Sequence, residues 1–117
     1  MPKYMLLIYG ASEGGPTAEE MPAEHQKWND YTASLRAADP GLVGDQLHDV
    51  DEATTVRVID GETQITDGPF AVTKELLAGY YIIDCPDLDV ALGHAARAPI
   101  VTHGSVEVRP VVVYPSA

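Results

Sequence analysis

Tyr4-Met5-Leu6-Leu7-Ile8-Tyr9, closed by Gly10, is the stretch whose reading decides the fold. A strand sends successive side chains to opposite faces, so a run that is apolar at every position predicts a strand with both faces covered. The run is shorter than a signal-peptide core and far below the ~20 residues of a membrane span. Gly79-Tyr80-Tyr81-Ile82-Ile83-Asp84 repeats the same two-sided pattern later in the chain.

Between these strands, Thr17 with Glu20 three residues on matches a capping box, and the spacing predicts a helix running to Ala38, where Asp39-Pro40-Gly41 stops it. Pro22 tolerates only an opening turn, so the regular helix begins nearer Pro22 than Thr17. Met21, Trp28, Thr32, Leu35 and Ala38 wind onto one face, with Tyr31 beside them, and form its core stripe. Leu42 to Leu47 is a weaker strand. Thr54 to Ile59 and Glu62 to Thr66 are joined by Asp60-Gly61, a two-residue link that predicts a hairpin. Pro86-Asp87 opens a second helix with a Leu88, Ala91, Leu92, Ala95 stripe, closed by Pro99. Ser105 to Tyr114 is the last strand, and Pro110 places it at an edge or a bulge.

The order strand, helix, strand, hairpin, strand, helix, strand is the ferredoxin-like split βαβ pattern of an α+β domain with an added β-hairpin. Both helices then lie on one face of an antiparallel sheet, and the other face is left bare. At roughly 25 cal/mol per Å² of apolar surface, a bare face of large side chains favours association, and the simplest cover is a second copy stacked as a two-fold homodimer.

Composition narrows the partners. The 117 residues form one domain, 1–117, with 45% apolar residues and 18 acidic against 7 basic side chains, a net charge of −11. Scattered Lys and Arg in so acidic a chain argue against nucleic acid and against an anionic membrane surface. Cys85, the single cysteine, allows no internal disulfide, which fits a reducing compartment; a cytoplasmic location is the default.

Lys3 to Tyr9, Asp67-Gly68-Pro69-Phe70 followed by Thr73-Lys74-Glu75, and Gly104-Ser105-Val106-Glu107-Val108-Arg109-Pro110 occur in that order across nearly the whole chain. In this it resembles the DGPF-domain proteins of the YCII-related family. The resemblance implies a dimeric α+β barrel of ferredoxin-like subunits. It implies no established reaction, only a proposed His-Asp active site, and family members that occur alongside or fused to extracytoplasmic-function sigma factors. The family commonly has a glutamate where this chain has Val72, so an acid or metal-ligand role at that position is absent.

Candidate site residues follow. His25, at the edge of the first helical stripe, reads as partly buried, and serves either as a proton exchanger or as a packed helix histidine. Asp67 is its natural orienter, and equally the residue a turn before Gly68-Pro69 would choose. Pro69 and Phe70 read as a packed corner. Thr73-Lys74-Glu75 reads either as a short turn of helix capped by Thr73, with Lys74 free to attract an anionic ligand and Glu75 available beside it, or as a solvated charged turn, the second being favoured. Glu107 and Arg109 share a face of the last strand, where they line a pocket or pair across the dimer interface, the second being favoured. Tyr80, Tyr81 and Trp28 read as core. His48, His94 and His103 are dispersed, so no metal site is expected. Gly14-Gly15 is followed by Pro16, no dinucleotide fingerprint, phosphate loop or nucleophile elbow occurs, and no cofactor is expected. Cys85 reads as inert.

Two functions stay open on these residues, beside a third reading in which the chain is a dimer whose loop motif serves folding alone. One is proton-transfer chemistry by His25 and Asp67 on a small polar metabolite, in a pocket between the first helix and the Asp67 loop. The other is a non-catalytic ligand-sensing or protein-interaction module linked to sigma-factor regulation.

Overall fold

A computed structural model describes residues 1–11, 15–71 and 73–115. Strands β1 (Lys3–Ala11), β2 (Val43–Gln46), β5 (Glu75–Asp84) and β6 (Ser105–Pro110) form one four-stranded sheet in the order β2-β5-β1-β6. All neighbours run antiparallel, with Leu6 opposite Tyr81 on one side and Val108 on the other. Strands β3 (Thr54–Ile59) and β4 (Glu62–Asp67) form a separate two-stranded ribbon. With helices α1 (Met21–Ala38) and α2 (Leu88–Ala96), this is an α+β chain of the ferredoxin-like order with a hairpin inserted between β2 and β5.

Period-two geometry sorts β1 cleanly. Tyr4, Leu6 and Ile8 are buried beneath the helices, whereas Met5, Leu7 and Tyr9 point the other way and are half-buried. Leu6, Leu35 and Ile83 are the largest fully buried side chains, each contributing roughly 1.5–3 kcal/mol by leaving water. Ala91, Ala95 and Ala98 let α2 and the segment after it approach closely. Trp28, Tyr31 and Tyr81 stack edge to face across the α1 to sheet boundary, with centroids 5.9 and 5.8 Å apart. Tyr31 donates to the His94 carbonyl at 2.7 Å, and Tyr81 shares a 2.6 Å hydrogen bond with Thr32. Burial, reinforced by Tyr81, pushes the Tyr31 phenol up to about 12.

The local signals act where the sequence puts them. Thr17 and Glu20 exchange hydrogen bonds reciprocally, at 3.2 and 3.3 Å, and these hold the Glu20 carboxyl below its ordinary range. The helix proper begins at Met21, with Pro22 in its opening turn. The Asp39 carboxylate accepts from the amides of Gly41 and Asp84, both at 2.9 Å, and so ties the end of α1 to the end of β5. Asp87 caps α2 by accepting from Val90 at 2.9 Å. Asp60 and Gly61 both take positive φ, 52° and 80°, as a primed hairpin turn requires.

Several expectations are corrected. Ala38, Leu88 and Leu92 are exposed, because each helix meets the sheet along a narrower stripe than its apolar residues suggest. Tyr80 lies on the sheet face away from the helices and donates to Asp45 at 3.2 Å, which raises its phenol. β6 ends at Pro110, four residues short of Tyr114, and lies at the sheet edge as that proline demands. Thr73-Lys74-Glu75 is no helical turn: Glu75 starts β5, opposite Ala11. Among the described residues nothing covers the sheet face carrying Met5, Leu7 and Ile82, and the ribbon leaves Val56, Val58 and Ile65 between 62% and 69% exposed. The radius of gyration is 16.5 Å, above the ~13 Å of a compact chain of this length.

Leu35→Ala is expected to cost about 3 kcal/mol in denaturant unfolding, and Leu92→Ala well under 1 kcal/mol, because only the first leaves a cavity. His94 provides a pH test. Burial, and then the Arg97 guanidinium whose Nη2 lies 2.7 Å from its Nδ1, hold the imidazole below its ordinary value. The unfolded chain therefore takes up the proton first. Stability falls as pH drops below the ordinary histidine range and levels off below the folded value. Denaturant midpoints at pH 7.5 and pH 5 should converge more closely in His94→Gln than in the native chain.

Candidate functional site

The Asp67-Gly68-Pro69-Phe70 turn is built by β3 and β4. Asp67 ends β4 opposite Thr54, and Gly68 then takes φ of 104°, a conformation that a side chain would strain. The Gly68 amide donates to the Ala53 carbonyl at 2.7 Å, while its own carbonyl accepts from the Thr55 hydroxyl at 2.8 Å. The turn is thus pinned by backbone and by Thr55. The Asp67 side chain is exposed and makes no hydrogen bond among the described residues, so the expected Asp side-chain turn is not what holds the loop. Phe70 is 75% exposed, not a packed corner, and the Arg57 guanidinium carbon stands 4.8 Å from its ring centroid.

Beside this turn lies a cleft of about 640 Å³. Pro69, Phe70, Leu47, Val50 and Leu77 supply apolar walls, and Tyr9, His48, Glu52, Thr55, Thr73 and Glu75 supply polar groups. A smaller lobe of about 360 Å³ opens between Gly10, Gln46 to Asp51 and Leu76 to Ala78, and shares Leu47 to Val50 with the first. The shared segment leads from β2, whose ladder Leu47 continues with a 2.8 Å bond to Ala78, into a short 3-10 turn, Val50–Glu52. That turn sets His48 and Glu52 four residues apart and 2.9 Å from each other, Nδ1 to Oε2, on side chains that are 86% and 62% exposed. The carboxylate can only accept, so Nδ1 carries the proton. Tyr9 donates to Glu107, Ser105 donates to Glu75 at 3.1 Å, and Thr73 donates to the Glu75 carbonyl.

The residues singled out from sequence are placed unevenly. His25 is exposed on α1, Asp67 is exposed at the end of β4, and no hydrogen bond or ion pair joins them among the described residues. Neither lines a lobe of the cleft, and α1 contributes nothing to its walls. Lys74 is exposed outside the cleft, whereas Glu75 lines it. Glu107 and Arg109 pair with each other at 3.5 Å along one strand of one chain. Val72 and Gly14 lie outside the described residues. Cys85 is buried, and burial pushes its thiol up, away from reactivity. Among the described residues, no group of three or more His, Cys, Asp or Glu is placed to hold a metal ion. Among the described residues, no helix is long and apolar enough to cross a membrane. The residues that sequence reasoning missed are His48, Glu52 and Tyr9; the i, i+4 spacing of His48 and Glu52 was the one signal available for the pair.

The profile of the YCII-related domain matches residues 2–115, nearly the whole chain and every element of this site. The chain belongs to the YCII-related domain family. This YCII-related chain is also similar to an uncharacterized protein of Rhizobium meliloti (strain 1021), at 50% identity over 64 residues. That match covers 53% of the chain, which spans about half (52%) of the relative's length.

The pinning of the family turn is open to direct test. Gly68→Ala should cost roughly 1–2 kcal/mol in denaturant unfolding, from the positive φ alone. Asp67→Asn should leave stability within about 0.5 kcal/mol of native, since its side chain holds nothing in place.

Proposed function

We propose that this YCII-related chain works as a homodimer that binds a small polar metabolite in the cleft beside the Asp67 to Phe70 turn, and transfers a proton there through His48, with Glu52 as its orienter. The observation that carries the reading is the meeting of the family turn with a hydrogen-bonded imidazole and carboxylate in one cleft of about 640 Å³. A cleft of that size suits a small ligand, and its mixture of apolar walls with a few polar groups is what small-molecule sites require. An imidazole fixed by a carboxylate is the arrangement general acid and base catalysis uses. Among the described residues no hydrogen bond or ion pair joins His25 to Asp67, and neither lines the cleft; the role is therefore given to His48.

Dimerisation is supported by the uncovered sheet face. Val43 is 53% exposed, and Met5, Leu7 and Ile82 are only half-buried by their own strand neighbours. A two-fold copy facing this surface removes it from water and shields the rim on which Tyr9 and Glu107 sit. A sigma-factor-linked interaction role finds no feature that favours it over the cleft.

A thermal-shift screen of small polar metabolites tests the ligand reading. A true ligand at a hundredfold excess over its Kd raises the melting temperature by roughly 10 °C. His48→Ala should abolish that shift and His25→Ala should preserve it; the reverse pattern returns the role to His25 and Asp67. Sedimentation should give a particle of twice the 12.6 kDa chain mass, and Ile82→Asp should return it to one chain.

A further inference from the structure

We propose that in the homodimer each β3–β4 ribbon lays its Val56, Val58 and Ile65 face on the segment that follows β6 in the partner, so that a second copy braces the wall of each cleft. This deepens the homodimer reading and rests on it. Val56 and Val58 are two apart on β3, and Ile65 stands opposite Val56, so the three share one exposed face of the ribbon. The other face carries Arg57 and Gln64. Every residue of β3 and β4 except Thr55 is exposed, although a two-stranded hairpin is only marginally stable in water unless a further layer packs on it. The ribbon's own domain supplies none among the described residues. These extend 51 × 46 × 19 Å, and the thin dimension is filled by the sheet and its helices, so the ribbon projects sideways and folds over neither layer.

Two observations commit this face to a second copy, and the first is area. The outer sheet face, with four strands about 4.8 Å apart paired over four to nine residues of about 3.4 Å each, offers roughly 400 Å² per protomer. That is about half of the ~800 Å² that a stable interface buries on each side. One ribbon face adds roughly 200 Å² by the same spacings. A two-fold axis makes the contact twice, once through a protomer's own ribbon and once through the surface it offers to its partner's, which brings each protomer to about 800 Å².

The second observation is place. The ribbon leaves the sheet from β2 and β5, at the end where Tyr9 lies. The segment after β6 leaves from the other edge at the opposite end, where the Val111 amide donates to the Lys3 carbonyl at 2.9 Å. These are diagonally opposite corners, and a two-fold axis parallel to the sheet and running between them exchanges the corners, setting each ribbon over the partner's segment. In that segment Val112, Val113 and Tyr114 are 69% to 82% exposed, and Val111 to Pro115 carries no charged side chain. Two copies of net charge −11 approach each other most readily through such neutral apolar surfaces. Thr54, Thr55 and Pro69 of the cleft wall stand at the ribbon's root, so the partner's hold on the ribbon steadies that wall.

The test is sedimentation equilibrium of the full chain over a concentration series, together with cross-linking. Val58→Asp/Ile65→Asp, and separately Val113→Asp, should weaken the dimer about tenfold or more, while Gln64→Asp on the other ribbon face stays within about twofold of native. All four positions are exposed, so each variant folds as the native chain does. After subunit exchange in a one-to-one mixture, a short bismaleimide should join Val58→Cys chains to Val113→Cys chains, with Cys85 buried and silent. A native dimer whose affinity is unmoved by both Asp variants gives the ribbon to some other occupant; that overturns this inference and leaves the sheet-to-sheet dimer in place. Joining of Val58→Cys chains to one another but not to Val113→Cys chains also overturns it, because ribbons then meet ribbons. A native chain that sediments as a monomer throughout overturns this inference and the homodimer reading together.

Discussion

The central strand β1 is hydrogen-bonded along both edges and apolar on both faces, and the remaining structure answers to that constraint. Its antiparallel pairing with β5 on one side and β6 on the other fixes the strand order, and the two helix crossovers then join the mutually parallel strands β1 to β2 and β5 to β6. Its inner residues Tyr4, Leu6 and Ile8 demand a cover, which Tyr31, Leu35 and the alanines of α2 provide. Its outer residues Met5, Leu7 and Tyr9 demand another, and among the described residues no third layer covers them. The ferredoxin-like order satisfies half of what β1 asks for, so the outer half bears on assembly.

The same division positions the cleft. Tyr9 lies at the end of β1 where the register with β5 shifts between Ile8 and Tyr9, and that irregularity falls at the rim where the insertion leaves the sheet. The hairpin enters and leaves the domain beside this rim. Its base therefore brings two loops, Leu47 to Ala53 and Gly68 to Ala71, against the strand ends. Neither loop would form a wall alone. Gly68 bonds back to Ala53 and Thr55, so the second loop is fastened to the residues that follow the first.

Much of the fold was legible because it is written in local chemistry. The Thr17 and Glu20 box, the Asp87 cap and the Asp60-Gly61 turn each concern atoms a few residues apart, and each forms as its residues dictate. Strand periodicity showed that Tyr80 and Tyr81 face opposite ways but not which of them meets a helix, since a two-sided apolar run carries no label for its covered face. The candidate site was less legible for a related reason. His25 shares the apolar stripe's edge in sequence, yet whether a helix edge borders a cavity depends on loops that packing places elsewhere. His48 lay in a segment with no periodicity, and its contact with Glu52 exists because a short 3-10 turn happens to return the chain. Phe70 looked like core because it is aromatic, and it is exposed because its loop is held through Gly68 and Thr55.

The chain's one sulfhydryl has a practical corollary. Cys85 is 2% exposed, and its surroundings disfavour the thiolate, the form that reacts with alkylating reagents. A new cysteine placed on the solvent side of the ribbon would outcompete it for a spin label or fluorophore. The native sequence can thus serve unaltered as a background for site-directed probes, and the separation between two such labels would report whether two copies of the chain come together at all.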